Sequence, residues 1–534
     1  MSRTAASRRI ATVATALFLA VQAIPTAAQQ SSSSPIRVAV QADQKGPRIE
    51  PDIFGQFAEH LGTGIYGGVW VGKGSPIPNV NGIRTDVVQA LRAIKVPNIR
   101  WPGGCFADEY HWREGVGPAD RRPERLNASW GGVIEPNSFG SDEFFEFARQ
   151  VGSEAFLSVN VGSGTVQESA DWLEYLTADK PTTLVKERIA NGHPAPYKIK
   201  YLGLGNENWA CGGAMSADHY GEEMKRFAHY SRNLNPAQTE GEAMKRVAVG
   251  WDSGKDDYTE AVMKAWKNKN WAWDIEGVSL HGYTIPNSWE KKGPSVGFGE
   301  DEYAKGLRAT LKMKEWVAKQ SAIMDRYDPE KKLGLYVDEW GIWVDPNPGS
   351  NPGFLQQQNT LRDGVIAALN LNIFMRNADR VRGTNIAQMV NVLQAMILTD
   401  GPKMLLTPTY HVYHMYVPFQ GATAVPVDFE AGSYAFGDIS LPRVDAVAAR
   451  DTSGKLWLAL VNLDANRPAR LATSVAGLNA RSATGRVLTA SAVDAHNSFA
   501  NPDAVAPKPY SGRASGGQLQ FDLPPKSIAV VQVQ

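Results

Sequence analysis

Eight short apolar runs alternating with amphipathic stretches constrain this chain more than any other feature. The runs lie at 52–58 (DIFGQFA), 96–100 (VPNIR), 155–160 (AFLSVN), 200–205 (KYLGLG), 246–250 (RVAVG), 275–281 (IEGVSLH), 333–337 (LGLYV) and 385–390 (NIAQMV). Between them, apolar residues recur at helical spacing over 85–95, 141–151, 217–234, 258–268, 302–327 and 361–378. Parallel strands need long crossovers, usually helical, so strand–helix alternation predicts a parallel sheet. Eight repeats predict an α/β fold, a (β/α)8 TIM barrel spanning 51–403. An open doubly wound sheet would place a glycine-rich phosphate turn after its first strand. The GSGT that follows Val161 lacks the third glycine and the later acid of that turn.

Beyond residue 404 helical periodicity fades. Short alternating runs at 443–449, 455–462, 470–473, 486–490, 518–523 and 527–534 are punctuated by Gly, Pro, Asn and Asp. They predict a C-terminal antiparallel β-sandwich domain over 404–534, which the segment 36–50 joins as an extra strand. The N-terminus reads as a leader. Arg3, Arg8 and Arg9 precede an apolar run, 10–24, and small residues follow it. This predicts a secretory signal peptide over 1–28, a linker over 29–35, and a secreted or periplasmic protein with no membrane span. Lys+Arg and Asp+Glu balance at 55 each, leaving no basic excess to hold a phosphate backbone, so nucleic acid is excluded as a partner.

The chain has two cysteines, Cys105 and Cys211. An oxidising compartment would allow one disulfide; two buried thiols are the alternative. No Cys/His spacing suits zinc. His411 and His414, within YHVYHMY, lack a third ligand and are expected to form a packed, hydrogen-bonded pair. No metal and no cofactor are expected.

The active site of such a barrel lies at the C-terminal ends of its strands. Those ends carry Glu59 and His60, then Arg100 with Trp101 to Cys105, then Asn206-Glu207-Asn208-Trp209, His281-Gly282-Tyr283, Asp338-Glu339-Trp340, and finally Asn385, Gln388 and Asn391. Two carboxyls flanking a glycosidic bond are the minimal glycosidase machinery: one protonates the leaving oxygen, and the other attacks the sugar or activates water. Glu207 and Glu339 each follow a clean apolar strand, in GLGNEN and LYVDEW. Either alone could equally be a structural acid paired with arginine.

The segments FGQFAEHLG, IRWPGGCFADEYHW, GLGNENW, SLHGYT and YVDEWG occur in that order, and the set resembles glycoside hydrolase family 51, the α-L-arabinofuranosidases. The resemblance covers the chain from about Ile36 to its end. It implies a retaining enzyme that releases terminal α-L-arabinofuranosyl residues from arabinoxylan, arabinan or oligosaccharides, and a homo-oligomer. Glu339 is then the nucleophile and Glu207 the acid/base, ending the seventh and fourth strands. Arg100 would keep Glu339 ionised, and the negative charge of Glu339, roughly 5 Å away, would keep a proton on Glu207. Asn206 would bind the sugar 2-hydroxyl and Tyr283 would orient Glu339. Glu59 and Gln388 would grip hydroxyls, Trp343 would contact the sugar, and His281 would support the pair.

Two departures stand out. Cys105 occupies a position where the family pattern has a sugar-binding Asn, and Gly341 one where Asn is common. The expectation is that Cys105 and Cys211 approach each other across the loops after strands two and four and form a bridge. The same scaffold could instead serve a β-xylosidase or endo-glucanase, or a non-catalytic carbohydrate-binding protein.

Overall fold

Eight parallel strands close into a barrel: Gly55–Phe57, Asn98–Trp101, Glu154–Val159, Tyr201–Leu204, Lys245–Ala248, Gly277–Thr284, Gly334–Ile342 and Val381–Ile386. The ring closes where the last strand meets the first, Asn385 opposite Gly55. The structure, a computed structural model, describes residues 34–251 and 255–534. The signal peptide expected at 1–28, and the linker as far as residue 33, lie outside them. Among the described residues, no helix is long and apolar enough to cross a membrane.

The lower end of the barrel is plugged. Phe156, Tyr201, Val247 and Tyr336 fill its interior. Below them, Asp52 accepts bonds from Lys200 at 2.7 Å, Asn98 at 2.8 Å and the Tyr201 hydroxyl at 2.9 Å. Ligand access is therefore left to the upper rim, where the strands end.

Helix positions follow local chemistry. Ser141–Val151 buries Phe144, Phe147 and Val151 at helical spacing, Glu143 reaches back to the Gly140 N–H, and Gly152 ends the helix at φ 81°. Two helices between strands three and four, Val166–Thr177 and Thr183–Ala190, fall outside the sequence expectation. The first has a legible start, because Thr165 accepts the Glu168 N–H at 3.1 Å.

Four further expectations need correction. The first strand is shorter than 52–58, because Pro51 opens a 3-10 turn, Pro51–Phe54, ahead of it. The eighth runs over Val381–Ile386 instead of 385–390, and the residues after it fold over the rim, with the Met389 N–H bonded to Phe57 O at 3.0 Å. The segment 404–534, expected as a β-sandwich, also contains a helix, Pro408–Tyr416, which follows a hairpin of Ile397–Asp400 and Lys403–Leu406. In that helix His411 is buried with no hydrogen-bond partner for Nε2 among the described residues, and His414 is exposed. They do not form the expected hydrogen-bonded pair; burial, and then the charge of His414, pull His411 down to about 4.

The C-terminal sheet has ten strands, with Thr423–Val425 at one end of the order and Val427–Phe429 at the other. Only Pro426 separates these two strands, so the sheet rolls back on itself as a sandwich. Its pairings are antiparallel except one: Ile36–Gln41 runs parallel to Ala469–Ala476. Val38, Leu458, Leu460, Phe521 and Val531 fill its interior. Its outer face joins the barrel: Val447, Ala459, Val461, Ile528 and Val530 belong to the same apolar cluster as the barrel helices.

Candidate active site

The upper rim encloses a cavity of about 600 Å³ lined by side chains from six strand ends, Glu59, Cys105, Glu207, Tyr283, Glu339 and Gln388 among them. Glu207 enters from the fourth strand end and Glu339 from the seventh. A carboxylate oxygen of each and a ring nitrogen of His281 lie within 4.8 Å of one another. Strand pairing sets His281 directly beside Glu339.

Glu339 is held on both oxygens. Arg100 Nη1 donates to Oε1 at 2.9 Å and the Tyr283 hydroxyl to Oε2 at 2.9 Å. Gly104 crosses close by; a Cβ there would stand 2.9 Å from Oε1. Burial works against the charge on Arg100, but Asp338 and Glu339 outweigh it and push its pKa up. The same guanidinium donates to Asn206 Oδ1 at 2.5 Å and pairs with Asp338 at 3.4 Å.

His281 links the two glutamates. Its Nδ1 lies 2.7 Å from Glu207 Oε1 and 3.5 Å from Glu339 Oε2, and its Nε2 lies 3.2 Å from Asp338 Oδ1. Burial would lower its pKa, but Glu339, Asp338 and Glu207 together raise it well above the usual histidine range.

Glu59 lies across Gly104 from Glu339. Its Oε1 accepts from the Phe106 N–H at 3.1 Å and Trp130 Nε1 at 2.8 Å, and its Oε2 from Gln388 Nε2 at 2.9 Å. Burial, and then the charge of Glu339, push Glu59 up to about 7 against the pull of those donors and Arg100.

Of the residues expected at the site, Glu59, Glu207, His281, Tyr283, Glu339, Trp343 and Gln388 line the cavity, as do Cys105 and Cys211. Arg100 and Asn206 are each 1% exposed and stand behind the wall. Cys105 and Cys211 are disulfide-bonded, with Cα atoms 5.5 Å apart. Cys211 Sγ lies 3.7 Å from Glu207 Oε2, so the bridge forms the cavity wall beside that carboxyl. Trp101 and Trp340 are fully buried behind the wall, bonded to His60 and Thr384, while Trp209 and Trp343 reach the cavity.

Sequence reading missed three residues here. Trp130 comes from a hairpin, Arg125–Asn127 with Val133–Glu135. Trp289 packs edge-on to Trp343 at 5.0 Å, with Lys292 over both rings. Asp108 is buried beneath the rim and accepts three backbone N–H groups. The first two lie in long loops without periodicity. Asp108 could have been suspected as an acid within an apolar segment, CFADEY.

Comparison with known proteins agrees with this geometry. Residues 90–298 match the family described as alpha-L-arabinofuranosidase 1 domain, and residues 338–527 the alpha-L-arabinofuranosidase C-terminal domain. An intracellular exo-alpha-L-arabinofuranosidase of Bacteroides ovatus is 42% identical over 519 residues, covering 97% of this chain and 98% of that one. The crystal structure of a family 51 arabinofuranosidase from Xanthomonas axonopodis pv. citri is 47% identical, with a TM-score of 0.90 over 94% of this chain and all (100%) of that one. An arabinose complex of the Thermotoga maritima α-L-arabinofuranosidase is 30% identical, with a TM-score of 0.81 over 93% of this chain and 99% of that one. With the whole barrel and its sandwich shared at this level of identity and coverage, the chain belongs to glycoside hydrolase family 51, the α-L-arabinofuranosidases.

Proposed function

We propose that this arabinofuranosidase removes single terminal α-L-arabinofuranosyl residues by double displacement, with Glu339 as nucleophile and Glu207 as acid/base. The observation that carries this reading is the spacing of the two carboxylates, with oxygens within 4.8 Å. Retaining glycosidases hold their carboxyls about 5–5.5 Å apart, whereas inverting enzymes leave room for a water between acid and base, roughly 6.5–9.5 Å.

Each residue then has a task. Arg100 and Tyr283 hold Glu339 in line with the anomeric carbon. Glu207 gives its proton to the leaving oxygen as the glycosyl–Glu339 ester forms. With the charge on Glu339 gone, Glu207 takes a proton from water, which attacks the anomeric carbon and frees arabinose with its configuration kept. Glu59 and Gln388 grip sugar hydroxyls, and Asn206, set by Arg100 behind the wall, braces the site next to Glu207. A cavity of about 600 Å³ suits one pentose and part of its neighbour better than a long glycan laid across an open cleft. Trp343 and Trp289 offer ring faces where the neighbouring unit would lie.

Proton NMR of the first-formed product tests the stereochemistry: α-L-arabinofuranose is expected, and the β-anomer would overturn the nucleophile assignment. Glu339→Ala should fall at least about 10³-fold in kcat, and with azide should yield the inverted glycosyl azide. Arabinoxylan, arabinan, β-xylosides and carboxymethyl cellulose together separate exo-arabinofuranosidase action from the other activities the scaffold could host.

The reading includes export. It rests on the arginines, apolar run and small residues of the N-terminus, and on a disulfide, which persists in oxidising compartments. The Bacteroides ovatus relative carries the word intracellular in its name. Mass spectrometry of the protein from its native cells should find a chain starting near residue 29; an intact N-terminus would refute export.

A further inference from the structure

Glu207 has a left-handed backbone, φ 42°, which a residue with a Cβ adopts only when its surroundings impose it. Those surroundings come largely from one short element, the 3-10 turn Cys105–Asp108 in the loop after the second barrel strand. Its first residue is bonded to Cys211, four positions beyond Glu207. Its last, Asp108, is 2% exposed, and its carboxylate takes the Asn206 N–H at 2.8 Å, directly before Glu207. It also takes the N–H groups of Val161 and Gly162, each at 2.7 Å, and lies 3.4 Å from Asn208 Nδ2.

The loop is thus pinned on both sides of Glu207. Between the pins, the Glu207 carbonyl accepts the N–H groups of Ala210 at 2.7 Å and Gly212 at 3.1 Å, which winds the chain into a tight turn. Gly212 packs so closely on Asp108 and on the Asn206 carbonyl that a Cβ there would collide with both. A buried carboxylate with that many donors is itself rigid. Asp108 has no path to substrate, since it does not line the cavity.

We propose that Asp108 and the Cys105–Cys211 bridge are the positioning residues of the acid/base, holding the backbone of Glu207 so that its carboxyl meets the leaving oxygen. The proposal rests on the acid/base role assigned to Glu207 above. If the clamp loosens, the side chain gains freedom and the proton arrives late. That penalty falls on poor leaving groups, which need protonation, and hardly on acidic phenols, which do not.

The test uses the full chain as Asp108→Asn, Asp108→Ala and the double variant Cys105→Ser with Cys211→Ser, beside Glu207→Ala. For each, kcat/KM is measured on α-L-arabinofuranosides whose leaving groups run from 2,4-dinitrophenol to a simple alkyl alcohol. The ratio of activated to alkyl substrate should rise about tenfold or more in the clamp variants and further in Glu207→Ala. A merely structural role would depress both substrates alike, and an unchanged ratio in folded clamp variants overturns the proposal. A Glu207→Ala protein with an unchanged ratio refutes the acid/base assignment instead, so the two failures are told apart. If the Asp108 variants do not fold, the paired cysteine variant decides, because it removes no backbone hydrogen bond of the turn and no contact of Asp108.

Discussion

At the scale of single residues, function rests on how few groups hold each carboxylate. Tyr283 donates a hydrogen bond to the Glu339 carboxylate at 2.9 Å. A hydrogen bond to a charged acceptor contributes about 1.5–3 kcal/mol, so Tyr283→Phe should lower kcat about 10- to 100-fold and leave the thermal melt nearly unmoved. Steady-state kinetics beside a melting curve checks both halves. Glu59 makes a different prediction, because burial raises it from 4.5 to about 7. The folded chain therefore binds this proton more tightly than the unfolded chain does. The resulting contribution is present at low pH and is lost as pH rises from about 4.5 to about 7. Asp108, raised from 3.8 to about 7, acts in the same sense. Glu59→Gln should become more stable relative to the parent at pH 7.5 than at pH 4.5, by about 3 kcal/mol as an upper figure. Denaturant midpoints at the two values measure this; a difference of the opposite sign would contradict the assigned cause. The same variant should bind arabinose more weakly.

At the scale of elements, the hairpin that carries Trp130 shows how a loop without periodicity becomes part of a site. Asn127 donates to His60 O at 2.6 Å and accepts the Trp130 N–H at 2.9 Å, tying the hairpin to the end of the first barrel strand. Behind it, Glu135 lies 2.9 Å from His60 Nδ1 and accepts the Tyr66 hydroxyl. Removing the tie should free Trp130 from Glu59 without disturbing Glu207 or Glu339. Asn127→Ala is expected to raise KM about tenfold with a smaller change in kcat, since what is lost is binding common to ground and transition states. A fall in kcat with KM unchanged would place the hairpin in the chemistry instead.

At the scale of the whole molecule, barrel and sandwich share one core. Helix Leu361–Arg376 is buried over 361–375, and not on one face only as its spacing had suggested. The barrel covers one side of it and the sandwich the other, where Asn372 donates to Asp445 at 2.7 Å. An isolated barrel would leave the side of that helix that carries Asn372 and Arg376, bonded to Asp445 and the Ala446 carbonyl, short of cover. Scanning calorimetry of the intact chain should show a single cooperative transition. A chain ending at residue 400 should aggregate, for want of the surface that buries this helix; a soluble, cooperatively melting barrel would show that the cover is dispensable.

Local pattern and local chemistry carried much of this into view. Strand–helix alternation is written in apolar spacing, because each barrel strand buries both faces and most of the helices only one. That pattern alone places Glu207 and Glu339 at strand ends. Features that depend on two distant segments meeting lay beyond the reach of spacing: the Trp130 hairpin, the His281 ring shared among Glu207, Asp338 and Glu339, and the helix Pro408–Tyr416 set between barrel and sheet. The left-handed turn at Glu207 belongs with them. It exists because a carboxylate and a disulfide from another loop hold it there, and the energy of such contacts arises only once the chain has closed around them.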